Sequence, residues 1–292
     1  GRYLLTAPLI TSTIAAQAIL RCGTTELKDI WLSRLARGCI GTLAILENED
    51  IGSAITMTAI NKGGKIELRG RKILVSDAAA ADFFLALCKF ETNLVLVLVS
   101  SDQIKSDCIL ERKLIDETKR AGDIDFNGVI VDANAMVKVT PRSIKDLKLI
   151  GALLHAAEAT GCCSATLDNI VSYLTTRTQF GRLIGSYQAL KHPTAEILIQ
   201  MDSAKSLIYH AATLTSTSNF CIDMEIACRM AKAQANDALL FAGDRAVQFH
   251  GGMGFTYECD AQLYIRRAQW AQHQYGDSQH HRFHLADLLL KD

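Results

Sequence analysis

Residues 143–188 read SIKDLKLIGALLHAAEATGCCSATLDNIVSYLTTRTQFGRLIGSYQ, and this stretch decides the fold. Leu147, Ile150, Leu154, Ala157, Gly161, Leu167, Val171 and Leu174 recur at three- and four-residue spacing, which builds one apolar face of a helix. Ser143, with Asp146 three residues on, has the pattern of a capping box. The spacing predicts a single long helix ending near Thr176. A turn follows at Arg177-Thr-Gln-Phe-Gly-Arg182, where Gly181 permits the tight reversal. Further helices are predicted over residues 187–214, 222–249, 260–272 and 280–290. Residues 140–292 are thus expected to form an antiparallel four-helix bundle domain.

Upstream the pattern changes. Residues 41–46, 65–68, 72–75, 83–88, 94–100 and 129–131 are short β-rich runs separated by turn signals. Asn61-Lys62-Gly63-Gly64 is a hairpin-type turn, and Phe126-Asn127-Gly128 is a second turn. Residues 38–139 therefore read as a small antiparallel β-barrel domain. Before it, residues 9–20 form an Ala-, Ile- and Leu-rich helix ended by Cys22-Gly23. Thr24-Thr25-Glu26-Leu27 restarts a helix with Trp31, Leu32 and Leu35 on one face. Residues 1–37 read as a shortened N-terminal helical domain. The fold class is mostly α with one β domain.

Composition narrows the function classes. The 292 residues are 49% hydrophobic and 21% charged, with a mean hydropathy of +0.13. Lys+Arg and Asp+Glu both number 31, so no net field attracts nucleic acid or a strongly basic partner. No run reaches the roughly 20 apolar residues of a membrane span; residues 93–99 (NLVLVLV) are of strand length. The nine cysteines are odd in number, lack CxxC spacing and fall largely on apolar helix faces, which suits reduced thiols in a cytoplasmic protein. His280 and His284 are an i,i+4 pair, but no full ligand set accompanies them, and no metal is expected.

Two segments carry chemistry. In the first, Arg177 offers a planar charged fork suited to a pyrophosphate, Phe180 an aromatic face for an adenine or ribose, and Gln188 a donor from the next helix. Alone, this turn reads better as Arg177 paired with a carboxylate and Phe180 in the core. The second segment is Gln248-Phe-His-Gly-Gly-Met-Gly-Phe-Thr256, after a long helix. Three glycines in four residues are costly unless backbone must approach something closely, and successive N–H groups in such a loop can form an anion-binding concavity.

Together the two segments, R-x-x-F-G-x-x-x-x-x-x-Q and Q-x-x-G-G-x-G-F, resemble the FAD-binding signature of the acyl-CoA dehydrogenases. The resemblance extends over the helix–β–helix order, the strand run ending at Ile73-Leu74-Val75-Ser76 and the helix containing Arg266-Arg267-Ala268. It implies FAD shared between subunits of an oligomer, an acyl-CoA substrate and electron-transfer flavoprotein as a partner. By position it implies that Arg177, Gln179, Phe180, Ile184, Tyr187 and Gln188 meet the FAD of a neighbouring subunit. Gln248, Gly251 and Gly252 would hold its adenosine diphosphate half. Asp277 and Gln279 would line the cofactor, and Ser76 would stand where the family keeps a threonine against the flavin ring.

The departures bear on catalysis. The family's reaction abstracts the acyl α-proton with a carboxylate while hydride leaves the β-carbon for the flavin. The family's usual Glu-Gly-Thr segment reads Tyr275-Gly276-Asp277 here, and the alternative base position, on the long helix, falls at Gly151. Neither holds a carboxylate. The family's Thr-Glu-Pro-x-x-Gly-Ser-Asp segment reads Leu46-Glu47-Asn48-Glu49-Asp50-Ile51-Gly52-Ser53. Asp277 is the candidate substitute base, whereas Glu158 reads as a structural polar residue of the helix surface. The resemblance points to the divergent or helper subunits of bacterial sterol-type acyl-CoA dehydrogenases, which share FAD with a catalytic partner chain. The alternative is an inactive flavin-binding or scaffold protein of the same fold.

Overall fold

A computed structural model describes residues 1–50, 52–215 and 221–290. Ile51, within the segment compared with the family's Thr-Glu-Pro run, lies outside them. The chain divides into two compact units, residues 6–148 and residues 1–5 with 149–292.

In the first unit, α1 (Leu9–Cys22) and α2 (Thr25–Ala36) are joined at Gly23, and the Thr24 side chain caps α2 by accepting from the Leu27 amide. Ten strands follow: β1 (Gly41–Ala44), β2 (Thr58–Lys62), β3 (Lys65–Arg69), β4 (Arg71–Ser76), β5 (Phe83–Phe90), β6 (Asn93–Ser100), β7 (Ile109–Arg112), β8 (Ala121–Asp125), β9 (Ile130–Asp132) and β10 (Met136–Val139). One sheet runs β10-β6-β5-β2-β3-β9, with β1 also on β5, and a second runs β4-β8-β7. Most pairings are antiparallel, but β1 and β2 each run parallel to β5. The β2–β3 hairpin closes at Gly63-Gly64, both at positive φ, as the Asn-Lys-Gly-Gly turn requires. Phe84, Val97, Ile124 and Phe126 lie in the fully buried core of these sheets. Strands β2, β7, β8 and β10 have no counterpart among the expected runs.

Glu47 is taken up inside this unit. Its carboxylate accepts from Lys72 Nζ at 2.7 Å, from the Thr56 and Met57 amides, and from the Thr56 hydroxyl. Burial works to raise its pKa, but these donors outweigh it and hold the group below its ordinary value. Lys72 is fully buried, so the pair fixes Glu47, and through it Thr56 and Met57, to β4.

The second unit begins within α3 (Pro141–Thr176) and continues through the short strands β11 (Thr178–Gln179) and β12 (Arg182–Leu183). Four more helices complete it: α4 (Gln188–Thr215), α5 (Ile222–His250), α6 (Ala261–His273) and α7 (Ser278–Leu289). The N-terminus of α3 lies three residues earlier than the Ser143 capping box predicts. Thr140 is the cap, its hydroxyl accepting from the Ser143 amide at 3.1 Å. Pro141 then begins the helix, where its missing N–H costs nothing. Residues 1–5 pack on this unit, the Tyr264 hydroxyl donating to the Arg2 carbonyl at 3.0 Å. Its core is built largely from small residues, among them Ala156, Ala159, Ala235, Ala238 and Ala242, which let the helices approach closely.

All nine cysteines are free thiols, and those at 88, 163 and 228 are pushed up to about 12 by burial, which keeps them as thiols at neutral pH. Among the described residues no helix is long and apolar enough to cross a membrane.

Candidate functional site

One end of the helical unit carries both motif segments. After α3, β11 pairs with β12 so that Thr178 faces Leu183 and Gln179 faces Arg182. The two-residue loop between them is Phe180-Gly181, with φ of 54° and 76°, and positive φ at both positions is the mark of a type I′ hairpin turn. Gly181 takes this conformation freely. Phe180 does not, and its ring projects 91% exposed. The core reading of Phe180 is therefore wrong. Arg177 is exposed and has no carboxylate partner among the described residues, which also removes the ion-pair reading. Gln179 and Gln188 are exposed beside it, Arg182 lies 4.0 Å over the Tyr187 ring, and Ile184 is buried with Leu174 and Phe249 as the anchor of the hairpin.

The glycine segment sits at the same end. His250, the last residue of α5, stacks on Tyr173 of α3 with ring centroids 4.2 Å apart, which holds the loop next to the hairpin. The three glycines serve different needs. Gly251 takes φ 58° and ψ −137°, a region open essentially to glycine alone. A Cβ on Gly252 would meet nothing within 4 Å, so its backbone faces open space. A Cβ on Gly254 would lie 2.3 Å from the Val247 carbonyl oxygen, so that glycine is demanded by packing. The loop is less open than the sequence suggests. The Gly251 amide bonds to Gln248 and the Gly254 amide to Gly251, making a single 3-10 turn rather than a run of free N–H groups. Gln248 is exposed, as are Phe255 at 72%, the last residue of the glycine motif, and Tyr257 at 75%, an aromatic residue that sequence reasoning passed over.

The second region is the α6–α7 turn, Gln274-Tyr275-Gly276-Asp277. Asp277 is the N-cap of α7, its carboxylate accepting from the His280 amide at 2.7 Å. Gln279 is exposed one residue into that helix. Tyr275 is held at φ 60°, and its ring lies directly on Gly151: a Cβ built there would meet three ring atoms at 2.7–2.8 Å. Burial pushes its phenol above the ordinary value.

Gly151 opens a strip along α3 continued at helical spacing by His155 and Glu158. His155 faces Tyr275 and Trp270, with ring centroids 5.7 and 5.3 Å away, and Glu158 accepts from Arg267 at 2.7 Å. Thus α6 and its turn meet α3 residue by residue: Arg267 on Glu158, Trp270 on His155, Tyr275 on Gly151. Glu158 is a buried group here, not the surface residue that its neighbouring alanines suggest. Lys232, fully buried on α5, donates to the Ala271 carbonyl at 2.6 Å and to Asn236 at 2.8 Å, and so closes the C-terminus of α6 just before the turn. Burial lowers it to about 7 against the opposing pull of Glu158 and Asp277. His281, 1% exposed, lies under Gly276 with neither ring nitrogen partnered among the described residues. The i, i+4, i+7 spacing of Gly151, His155 and Glu158 is the one sequence signal that could have flagged this region.

Ser76 belongs to the other unit, where it ends β4, pairs with Ala121, and accepts from the Thr42 hydroxyl through its carbonyl.

The profile of the acyl-CoA dehydrogenase C-terminal domain matches residues 149–290. An acyl-CoA dehydrogenase of Bacillus subtilis is 28% identical over 295 residues, covering 96% of this chain and 76% of that protein. Acyl-CoA dehydrogenase IpdE2 of Mycolicibacterium smegmatis is 43% identical over 118 residues, 40% of this chain and 35% of its own length. Among solved structures, the ChsE4-ChsE5 complex from Mycobacterium tuberculosis superposes with a TM-score of 0.87 at 23% identity, over 99% of this chain and 77% of that one. The matched residues include the hairpin, the glycine loop and the α6–α7 turn, so residues 149–290 form an acyl-CoA dehydrogenase C-terminal domain, in a chain that is similar along most of its length to acyl-CoA dehydrogenases.

Proposed function

We propose that this chain is an acyl-CoA dehydrogenase subunit that binds FAD jointly with a partner chain and leaves α-proton abstraction to that partner. The observation that carries the reading is the contrast within the helical unit: Arg177, Gln179, Phe180 and Gln188 of the hairpin segment are exposed, while Tyr275 and Gly151 stand where a base is expected. The residues suit the cofactor. Arg177 presents a guanidinium free of any carboxylate among the described residues, suited to a bidentate pyrophosphate contact. Phe180 projects an aromatic face, and Gly251 and Gly252 leave backbone room for a diphosphate. Bound flavin would supply the acceptor for the hydride lost from the acyl β-carbon. An electron-transfer flavoprotein would then reoxidise it.

Asp277 does not fit the role of base well. One carboxylate oxygen is committed to the α7 cap, and the side chain is one carbon shorter than glutamate. The solved relative from Mycobacterium tuberculosis joins two differently named chains, ChsE4 and ChsE5, which agrees with an unequal pair here.

The test is turnover with an artificial electron acceptor for the purified chain, Asp277→Asn and Tyr275→Glu, each with its flavin spectrum recorded. A positioned carboxylate contributes about 10²–10⁴-fold, roughly 3–5 kcal/mol of barrier. The expected result is a yellow protein with turnover lower by about that factor than when its partner is present, unchanged in Asp277→Asn and raised in Tyr275→Glu. Robust turnover by the chain alone that collapses in Asp277→Asn overturns the reading and makes Asp277 the base.

A further inference from the structure

Tyr275 does more than lack a carboxylate. Its left-handed backbone turns the ring onto Gly151, and the ring occupies the volume that a side chain at 151 would fill. The contact is one rung of a register in which Trp270 meets His155 and Arg267 meets Glu158. The turn is held at both ends and on one face: Lys232 ties down Ala271 before it, Asp277 caps α7 after it, and His281 lies 3.1 Å from where a Gly276 Cβ would be. A ring so held is a fixed wall of the bundle, and the strain at Tyr275 persists because its surroundings over-determine it.

From this we propose that Tyr275 plugs the thioester pocket of this chain, its ring closed on Gly151, so that the chain binds flavin but admits no acyl-CoA. The inference rests on the subunit reading above. Both residues take part: the ring fits only because a glycine stands opposite it. The occupant excluded is the acyl part of a CoA thioester. Free coenzyme A has no acyl chain to be excluded, and so it is indifferent to the plug.

The experiment uses the flavin-loaded chain with octanoyl-CoA as probe and free coenzyme A as control, binding being measured by calorimetry. The variants are Tyr275→Phe, Tyr275→Ala, Gly151→Ala and the pair Gly151→Ala with Tyr275→Ala. The expected result is that the parent and Tyr275→Phe bind octanoyl-CoA at least about tenfold more weakly than Tyr275→Ala, while free coenzyme A does not distinguish them. Gly151→Ala should lower the melting temperature of the parent and leave that of Tyr275→Ala nearly unmoved, because the clash requires the ring. If Tyr275→Ala does not fold, Tyr275→Leu takes its place in both comparisons. Octanoyl-CoA bound as tightly by the parent as by the truncated variant overturns the plug, as does a Gly151→Ala penalty that is equal in both backgrounds. So does a truncated variant that gains no affinity. These failures leave the subunit reading standing; a purified chain with no flavin sinks the subunit reading and leaves the melting comparison intact.

Discussion

Phe180 and Tyr275 are both large aromatic residues at positive φ, 54° and 60°, and yet their surroundings are opposites. The Phe180 ring stands 91% exposed at a hairpin tip, with almost none of its surface covered by its own chain. The Tyr275 ring is pressed onto Gly151 and faces His155. A non-glycine residue in this region costs on the order of 1–3 kcal/mol, and it persists only where something compensates. For Tyr275 the compensation is internal packing. For Phe180 the described residues supply no such packing, so the compensation has to come from what the hairpin touches. The same backbone signal thus marks an exposed hairpin tip in one place and a packed turn in the other.

The widest separation should appear on truncating both rings. Tyr275→Ala removes a packed aromatic and should cost about 3–5 kcal/mol of stability, whereas Phe180→Ala in the isolated chain should stay within about 0.5 kcal/mol. Urea denaturation of the two variants checks this. Equal losses would mean that Phe180 packs in solution and that the contrast is false.

The outward region should be sharpened by Arg177→Ala. Losing a charge-assisted bidentate contact to pyrophosphate should weaken FAD binding by about 1.5–3 kcal/mol without changing the folded stability of the flavin-free chain. Retention of flavin through gel filtration is the measurement. A variant that keeps FAD as well as the parent would show that this end of the bundle is not the cofactor site.

Much of this is legible in the residues alone. The helices declare themselves because α3, α4 and α5 repeat apolar residues at three- and four-residue spacing, and their ends shift by only a residue or two. The exception is the start of α3, where Thr140-Pro141 outcompetes Ser143 as the entry signal. Strands β7 and β8 escape because ILER and AGDID carry charges and a glycine, which are poor strand formers. They are strands because their partners hold them, as Asp123 shows by gathering Arg112, Arg71 and the Leu74 amide. The parallel pairings of β1 and β2 with β5 carry no local signal at all. The two motif segments are readable because the residues of each lie together in sequence. The seating of Tyr275 on Gly151 is not, because the two are distant in the chain and only the α3–α6 register joins them.

The inward region makes a second prediction, through pH. His281 lies buried beneath the Tyr275 turn, and burial, followed by the charges of Lys232, His280, Arg229 and His284, lowers it from 6.5 to about 3. The unfolded chain therefore binds the proton more readily between those two values. Stability contributed by the neutral imidazole is complete above the unfolded pKa and is lost as pH falls through the window, by about 1.4 kcal/mol per unit. Unfolding free energies of the parent from urea titrations at about pH 7.5 and pH 5 should differ by about 2 kcal/mol from this group, and His281→Phe should remove that part. An unchanged pH dependence in His281→Phe would mean that the imidazole is hydrated and the turn less tightly sealed than its burial implies.

Phe180→Gly gives the smallest change and the cleanest separation, because its two expected effects have opposite signs. Glycine populates the left-handed region freely, so the hairpin tip loses its strain on substitution. Against this, a glycine frees the unfolded chain, and the entropy it gains offsets part of the relief. The exposed ring contributes no packing that would be lost. The net effect on folding should be neutral to stabilising by at most about 1 kcal/mol, read as a small rise in melting temperature of the flavin-free chain. Flavin binding should move the other way, since the aromatic face offered to the cofactor is gone. A purely structural Phe180 would lower the melting temperature and leave FAD retention alone. A drop in both would mean that the ring packs against its own chain in solution, and the outward half of the comparison would fall.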